Sequence, residues 1–329
     1  MKLLKNQDER VLVLFLIAMV LVNVLVWSND ILLLLEDSNN EKECVFVSSR
    51  GILKSSNVYP TYPISSVTSL DYTNWNVKEN DIVYIQGSAL RDFIFNMMPR
   101  IKTNFTLVTG DCDESMPYSV LDRVTFSFFI NDRRLKHWYS QNLIVKHPKA
   151  TIIPIGLDYH SEAKHIWWGP PMNALQQEAH LLQIANNALP LMHRSLLCYV
   201  NFKHALYTHH SSHRLNVLKS LNQHLLFVET EQKPRLQSWQ TQSMMSFVIS
   251  PFGMGLDCHR TWEAMILGCI PIVQSSAINH LFEDLPVLIV SNWSLIDLDL
   301  LHKTRIDFHN RKWNREKLTL QYWMSIIKG

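Results

Sequence analysis

Residues 247–273, FVISPFGMGLDCHRTWEAMILGCIPIV, gather an arginine, a histidine and a glutamate behind a glycine-bearing turn, a set suited to holding a phosphorylated ligand. Gly253 and Gly255 let backbone N–H groups approach an anion, and the N-terminus of a following helix adds partial positive charge at the same point. His259 and Arg260 lie at that entry, and a guanidinium can clamp phosphate oxygens in a two-pronged fork. Glu263 falls about one turn further on, where a carboxylate can accept hydrogen bonds from the two hydroxyls of a ribose.

These residues need a scaffold of a particular order. The spacing predicts a buried strand from Phe247 to Ser250, a turn from Pro251 to Gly255, a helix from Arg260 to Leu267 ended by Gly268, and a second strand from Ile270 to Val273. The same order occurs in α/β sheets that bind nothing, and a single G-x-G is a weak signal by itself.

Ser250, Pro251, Gly253, Arg260, Glu263, Ala264, Gly268, Cys269, Pro271 and Val273 follow one another as in the donor-binding stretch of the exostosin-like glycosyltransferases, glycosyltransferase family 47, which this segment resembles. The resemblance is strongest over residues 240–290. It implies a GT-B type α/β fold, two Rossmann-like domains facing across a cleft, with a nucleotide-sugar donor held by the second domain through Ser250, Gly253, Gly255, His259, Arg260 and Glu263. Lys203 and Arg214, near the first loop of that domain, are further candidates for the donor phosphates. Transfer to a glycan or glycoprotein acceptor would follow, with inversion favoured by the resemblance. Met254 stands inside the glycine loop where a small polar residue would be more natural.

An inverting transfer needs a general base on the acceptor hydroxyl. Asp111, Asp113, Asp158 and His160 follow expected strands and are candidates, with nothing in the sequence to choose among them. Asp111-Cys112-Asp113 also has the D-x-D form that GT-A transferases use to hold a divalent cation on a diphosphate, and two carboxylates at that spacing suit Mg²⁺ or Mn²⁺. It equally fits an Asp-rich turn with no ligand. With Arg260, backbone amides and a helix dipole already facing the phosphates, no metal and no other cofactor is expected. His204, His209, His210 and His213 lack the Cys or carboxylate partners of a zinc site and fit a solvated loop facing the cleft. Trp138, Trp167 and Trp168 could stack on sugar faces, although buried packing explains most tryptophans.

The chain has 329 residues, 47% of them hydrophobic, which suits about two domains with sizeable cores. A net charge of only +2 excludes a polyanion binder that works by bulk charge, so nucleic acid is not an expected partner. Five widely spaced cysteines give neither a disulfide framework nor paired zinc ligands. Val11 to Trp27 is an apolar run broken only by Asn23, followed by Ile31 to Leu35, and Lys2, Lys5 and Arg10 precede it. These features predict a signal-anchor helix over residues 11–35 and, by the positive-inside rule, a single-pass type II membrane protein with a lumenal body in the Golgi or endoplasmic reticulum. Asn104-Phe-Thr106 and Asn292-Trp-Ser294 would be usable glycosylation sequons there.

The expected layout is a tail over 1–10, the anchor over 11–35, a short stem over 36–42 and an acceptor-side domain over 43–165. An inter-domain passage over 166–193, a donor-binding domain over 194–300 and a C-terminal segment over 301–329 whose helix packs back on the first domain complete it. Two readings compete with an active transferase of this kind: an inactive anchored module that recognises a glycan or nucleotide sugar, and a D-x-D transferase of the metal-dependent kind. Oligomeric state is not legible.

Overall fold

Apolar runs rich in β-branched and aromatic residues form the first two strands, β1 (Asp81–Gln86) and β2 (Phe105–Gly110), which pair in parallel with Val83 beside Leu107. The computed structural model describes residues 40–161, 168–202 and 211–329, and both of its sheets lie in a single unit spanning residues 40–329. The first sheet continues with β3 (Leu135–Ser140) and β4 (Ala150–Ile152) in the order β1-β2-β3-β4, every pairing parallel. The second has the order β6-β5-β7-β8-β9, built from β5 (Ser195–Val200), β6 (Leu226–Val228), β7 (Met245–Ile249), β8 (Ile270–Gln274) and β9 (Leu288–Val290), again all parallel.

Parallel sheets are covered on both faces, so their strands carry apolar residues at consecutive positions. In β7, Val248 joins one core cluster while Phe247 and Ile249 join another, and all three are fully buried. Trp138 in β3 is equally buried and uses its indole N–H, donating to Thr109 Oγ1 at 3.0 Å. The connections include α1 (Ser49–Lys54), α2 (Arg123–Ile130) and α3 (Ala174–Asn187), then α4 (Ser211–Ser220), α5 (Arg235–Ser243), α6 (His259–Ile266) and α7 (Leu298–Asn310). The last helix, α8 (Leu320–Lys328), contacts α1, and Tyr139 of β3 donates its hydroxyl to the Ile326 carbonyl at 2.8 Å.

Two segments depart from regular structure. The segment Leu90 to Ile101 is not one regular helix but a short α-turn at Leu90–Asp92, a π-turn at Phe93–Met97 and a 3₁₀ turn at Met98–Arg100. Pro99 has no N–H to continue an α-helical ladder. Val45 to Val47 is not a strand of either sheet. It makes isolated pairings instead, Phe46 with Thr319 and the neighbouring Ser48 with Gly156 and Leu157.

The membrane expectation is corrected. Among the described residues no helix is long and apolar enough to cross a membrane, and residues 11–35 lie outside them. The fold class expected above, a GT-B architecture headed by a transmembrane helix, is therefore restated as mixed α/β with two Rossmann-like parallel sheets. The type II, lumenal placement inferred from the anchor is withdrawn with it.

Candidate functional site

In the second sheet the chain starts inside at β5, crosses to β6 on one side, and returns to β7 on the other. The loops leaving β5 and β7 therefore diverge, which opens a crevice at the carboxyl ends of the strands, the usual ligand position in an open parallel sheet. A cavity of about 530 Å³ occupies it, within the range of small-ligand sites. Phe202 after β5, Glu229 and Lys233 after β6, and His259, Arg260 and Glu263 of α6 line one side, while Asp158 closes it from the first sheet.

Arg260 brings a buried guanidinium to the site. Among the described residues its buried Nη1 has no hydrogen-bond partner, and its guanidinium lies 5.6 Å from the Phe202 ring centre. Burial pulls its pKa below the ordinary arginine value, with Arg214 acting in the same direction. A buried donor left unpaired costs free energy that an anionic ligand oxygen would recover. At the preceding position, His259 donates from Nδ1 to the Gly156 carbonyl at 2.8 Å, because a carbonyl oxygen can only accept.

Glu263 is held rather than free. Its Oε1 receives Arg235 Nη2 at 2.7 Å, with both side chains largely buried. Arg235 also donates to the Asp158 carbonyl and, at 2.8 Å, to Gln177 Oε1. Its guanidinium stacks 4.7 Å from the Trp239 ring and 5.6 Å from that of Trp168. Arg235 thus ties α5, α3, α6 and the loop after β4 together around the cavity. Sequence reasoning missed it because the polar stretch 229–233 hides the start of α5, although Arg235 and Trp239 at i and i+4 were a usable helical signal.

The glycine loop serves protein contacts. A Cβ on Gly255 would lie 2.8 Å from both Asn142 Nδ2 and the Asp113 carbonyl, so this glycine permits the close approach of the two sheets' loops. A Cβ on Gly253 would meet Cys258 Sγ at 3.0 Å and Arg214 Nη2 at 3.3 Å, and Arg214 Nε donates to the Phe252 carbonyl at 2.9 Å. Ser250 spends its hydroxyl on Thr261 Oγ1 at 2.9 Å, joining β7 to α6. Gly253, Gly255, Ser250 and Met254 are not among the cavity's lining residues, whereas Arg214, His259, Arg260 and Glu263 are. Lys203, His204, His209 and His210 lie outside the described residues, as does the side chain of His213.

The sheets are buckled by Asp257. Its carboxylate accepts from Ile155 N at 2.9 Å, from Trp262 Nε1 at 2.9 Å and from its neighbour Cys258 N, while its own N–H donates to Asn142 Oδ1 at 2.9 Å. Burial pushes the carboxyl up to about 6 against those donors.

Of the four base candidates, only Asp158 reaches the cavity. Its Oδ1 lies 3.3 Å from His160 Nδ1 and accepts from Ser161 N at 3.0 Å. Although burial opposes it, the neighbouring His160 and His259 rings and the Arg235 guanidinium hold the Asp158 carboxyl far below the usual range. Burial drives His160 down to about 4, so it is neutral at pH 7. Asp111 sits behind them at φ 51°, its carboxylate 3.5 Å from Arg50 Nη2 and 3.7 Å from His160 Nε2, all three side chains buried. The Asp113 carboxyl, raised chiefly by burial, is turned toward the 255 loop, where the Gly255 backbone opposes the rise. Asp111 and Asp113 therefore face different partners, and among the described residues no group of three or more His, Cys, Asp and Glu is arranged to hold a metal ion.

No protein-family model matches the chain, and no curated protein matches it.

Proposed function

We propose that the chain is a metal-independent, inverting glycosyltransferase that moves a sugar from a nucleotide-diphosphate donor to a hydroxyl of a glycan or glycoprotein. The observation that carries this is Arg260, whose buried Nη1 has no hydrogen-bond partner among the described residues and whose side chain lines the cavity beside the N-terminus of α6. A diphosphate supplies the missing acceptors and gains the helix's partial positive charge. Arg214, Lys233 and Arg235 add positive charge to the same lining, with Lys233 already paired to Glu229 and Arg235 to Glu263. Glu263, with Oε1 fixed by Arg235, would present its remaining oxygen to the ribose. The resemblance of residues 240–290 to the donor segment of exostosin-like transferases points the same way.

The test is thermal stabilisation of the full chain by UDP, GDP, ADP and CDP, with and without EDTA, because a ligand of the folded state raises its apparent stability. We expect one nucleotide to raise the melting temperature whether or not EDTA is present, and Arg260→Ala to remove the shift. Stabilisation that appears only with Mn²⁺, or with no nucleotide at all, refutes the proposal.

A further inference from the structure

We infer that His259 Nε2 is the general base for the transfer, a conclusion that rests on the function proposed above. His259 lines the cavity at the first position of α6, next to the anion-seeking Arg260 and opposite Asp158. Its other ring nitrogen is committed: Nδ1 donates to the Gly156 carbonyl at 2.8 Å, across from the second sheet to the first. A neutral imidazole carries one N–H, so that bond fixes the tautomer and leaves the lone pair on Nε2. The carbonyl thereby orients the ring as the third group of a nucleophile, base and orienter arrangement does.

Asp113, Asp158 and Asp257 are within electrostatic reach of the ring, with His160 nearby, and Arg214, Arg235 and Arg260 line the same cavity. The remaining candidates are worse placed. Asp111 and His160 are buried off the cavity against Arg50, and Asp158 is held so firmly ionised that it makes a weak proton acceptor.

In the step itself, Nε2 takes the proton of the acceptor hydroxyl as that oxygen gives an electron pair to the anomeric carbon. The bond from that carbon to the donor phosphate oxygen breaks, and the nucleoside diphosphate leaves with the bonding pair toward Arg260. The imidazolium then returns its proton to solvent. One C–O bond forms, one breaks, and the charge on the leaving phosphate faces the guanidinium.

The closing experiment uses the full chain and its His259→Asn variant, because the Asn amide N–H stands where Nδ1–H stands and keeps the Gly156 bond while deleting Nε2. UDP-glucose, UDP-galactose, UDP-xylose and GDP-mannose serve as donors, with water or a panel of free sugars as acceptor. Released nucleoside diphosphate reports turnover, and calorimetry reports binding of UDP and GDP. We expect turnover to fall at least about 100-fold, in kcat, with nucleotide affinity changed less than about threefold. Equal turnover in the two proteins overturns the assignment, as does a loss confined to nucleotide affinity, which would make His259 a phosphate ligand. A wild-type chain that binds a nucleotide but releases none from any donor also overturns it. Absence of nucleotide binding in the wild type removes the transferase function itself, and the base with it.

Discussion

Arg235 Nη2 and Glu263 Oε1 meet at 2.7 Å on the wall of the cavity, joining α5 to α6 through two largely buried charges. The pair is part of a larger set, since the same guanidinium satisfies Gln177 and the Asp158 carbonyl and stacks on Trp239. Removing one member of a buried pair leaves the other uncompensated, which costs more than the pair contributes.

Arg235→Met should therefore lower the stability of the fold by about 3 kcal/mol, read as a shifted urea midpoint. Adding Glu263→Gln should restore part of that loss, because the orphaned carboxylate is gone, and a double-mutant cycle should give a coupling of about 1 kcal/mol or more. Strict additivity of the two changes would show that the contact carries no energy of its own.

Gly255→Ala tests the closeness of the two sheets' loops. Its new methyl would sit 2.8 Å from the Asp113 carbonyl and from Asn142 Nδ2, the residue whose Oδ1 receives Asp257 N. Overpacking at so tight a contact costs roughly 1–3 kcal/mol, and calorimetric unfolding measures it. Stability equal to wild type would mean that the loop moves away freely.

Much of this architecture could be read in the chain, for identifiable reasons. The strands over residues 81–86, 105–110, 195–200, 226–228 and 270–274 are short apolar runs between polar turns, the local pattern that signals a buried strand. The missed elements fail that pattern. β3 reads Leu-Lys-His-Trp-Tyr-Ser and is held by its pairing with β2 and by the Trp138 bond to Thr109, which no local signal encodes. At the site, Arg260 and His259 were found because type and spacing announce an anion at a helix N-terminus. Arg235 was not, because its importance comes from three partners distant in the chain. Gly255 was found for a ligand-facing role, whereas its space is taken by the first sheet's loops.

Glu41 gives the fold a pH dependence of known sign. It is fully buried and receives the Ser48 hydroxyl at 2.6 Å, and burial pushes its carboxyl up from 4.5 to about 8. Between those values the folded chain keeps a proton that the unfolded chain has lost, so stability falls as pH rises through this window, by at most about 1.4 kcal/mol per pH unit. Unfolding free energies measured from pH 5 to pH 8 should decline accordingly, and Glu41→Gln should flatten the decline. A wild-type curve that rises with pH across that interval and is unchanged by Glu41→Gln would place an ionised carboxylate there.

Arg260 should show the conflict between stability and binding most directly. In the folded chain its Nη1 is desolvated without a hydrogen-bond acceptor among the described residues, and Arg214 lies close enough to repel it. The ring of Phe202, 5.6 Å away, offers only partial compensation. Arg260→Met fills similar volume without charge, so it should raise the unliganded melting free energy by about 1 kcal/mol. The same variant should lose about 1.5–3 kcal/mol of nucleoside diphosphate affinity, the usual worth of hydrogen bonds to a charged group. Paired urea titration and calorimetry separate the two effects. If Arg260→Met instead destabilises the free protein as strongly as it weakens binding, the guanidinium is a structural member of the α6 entry and the cavity has lost its anion anchor.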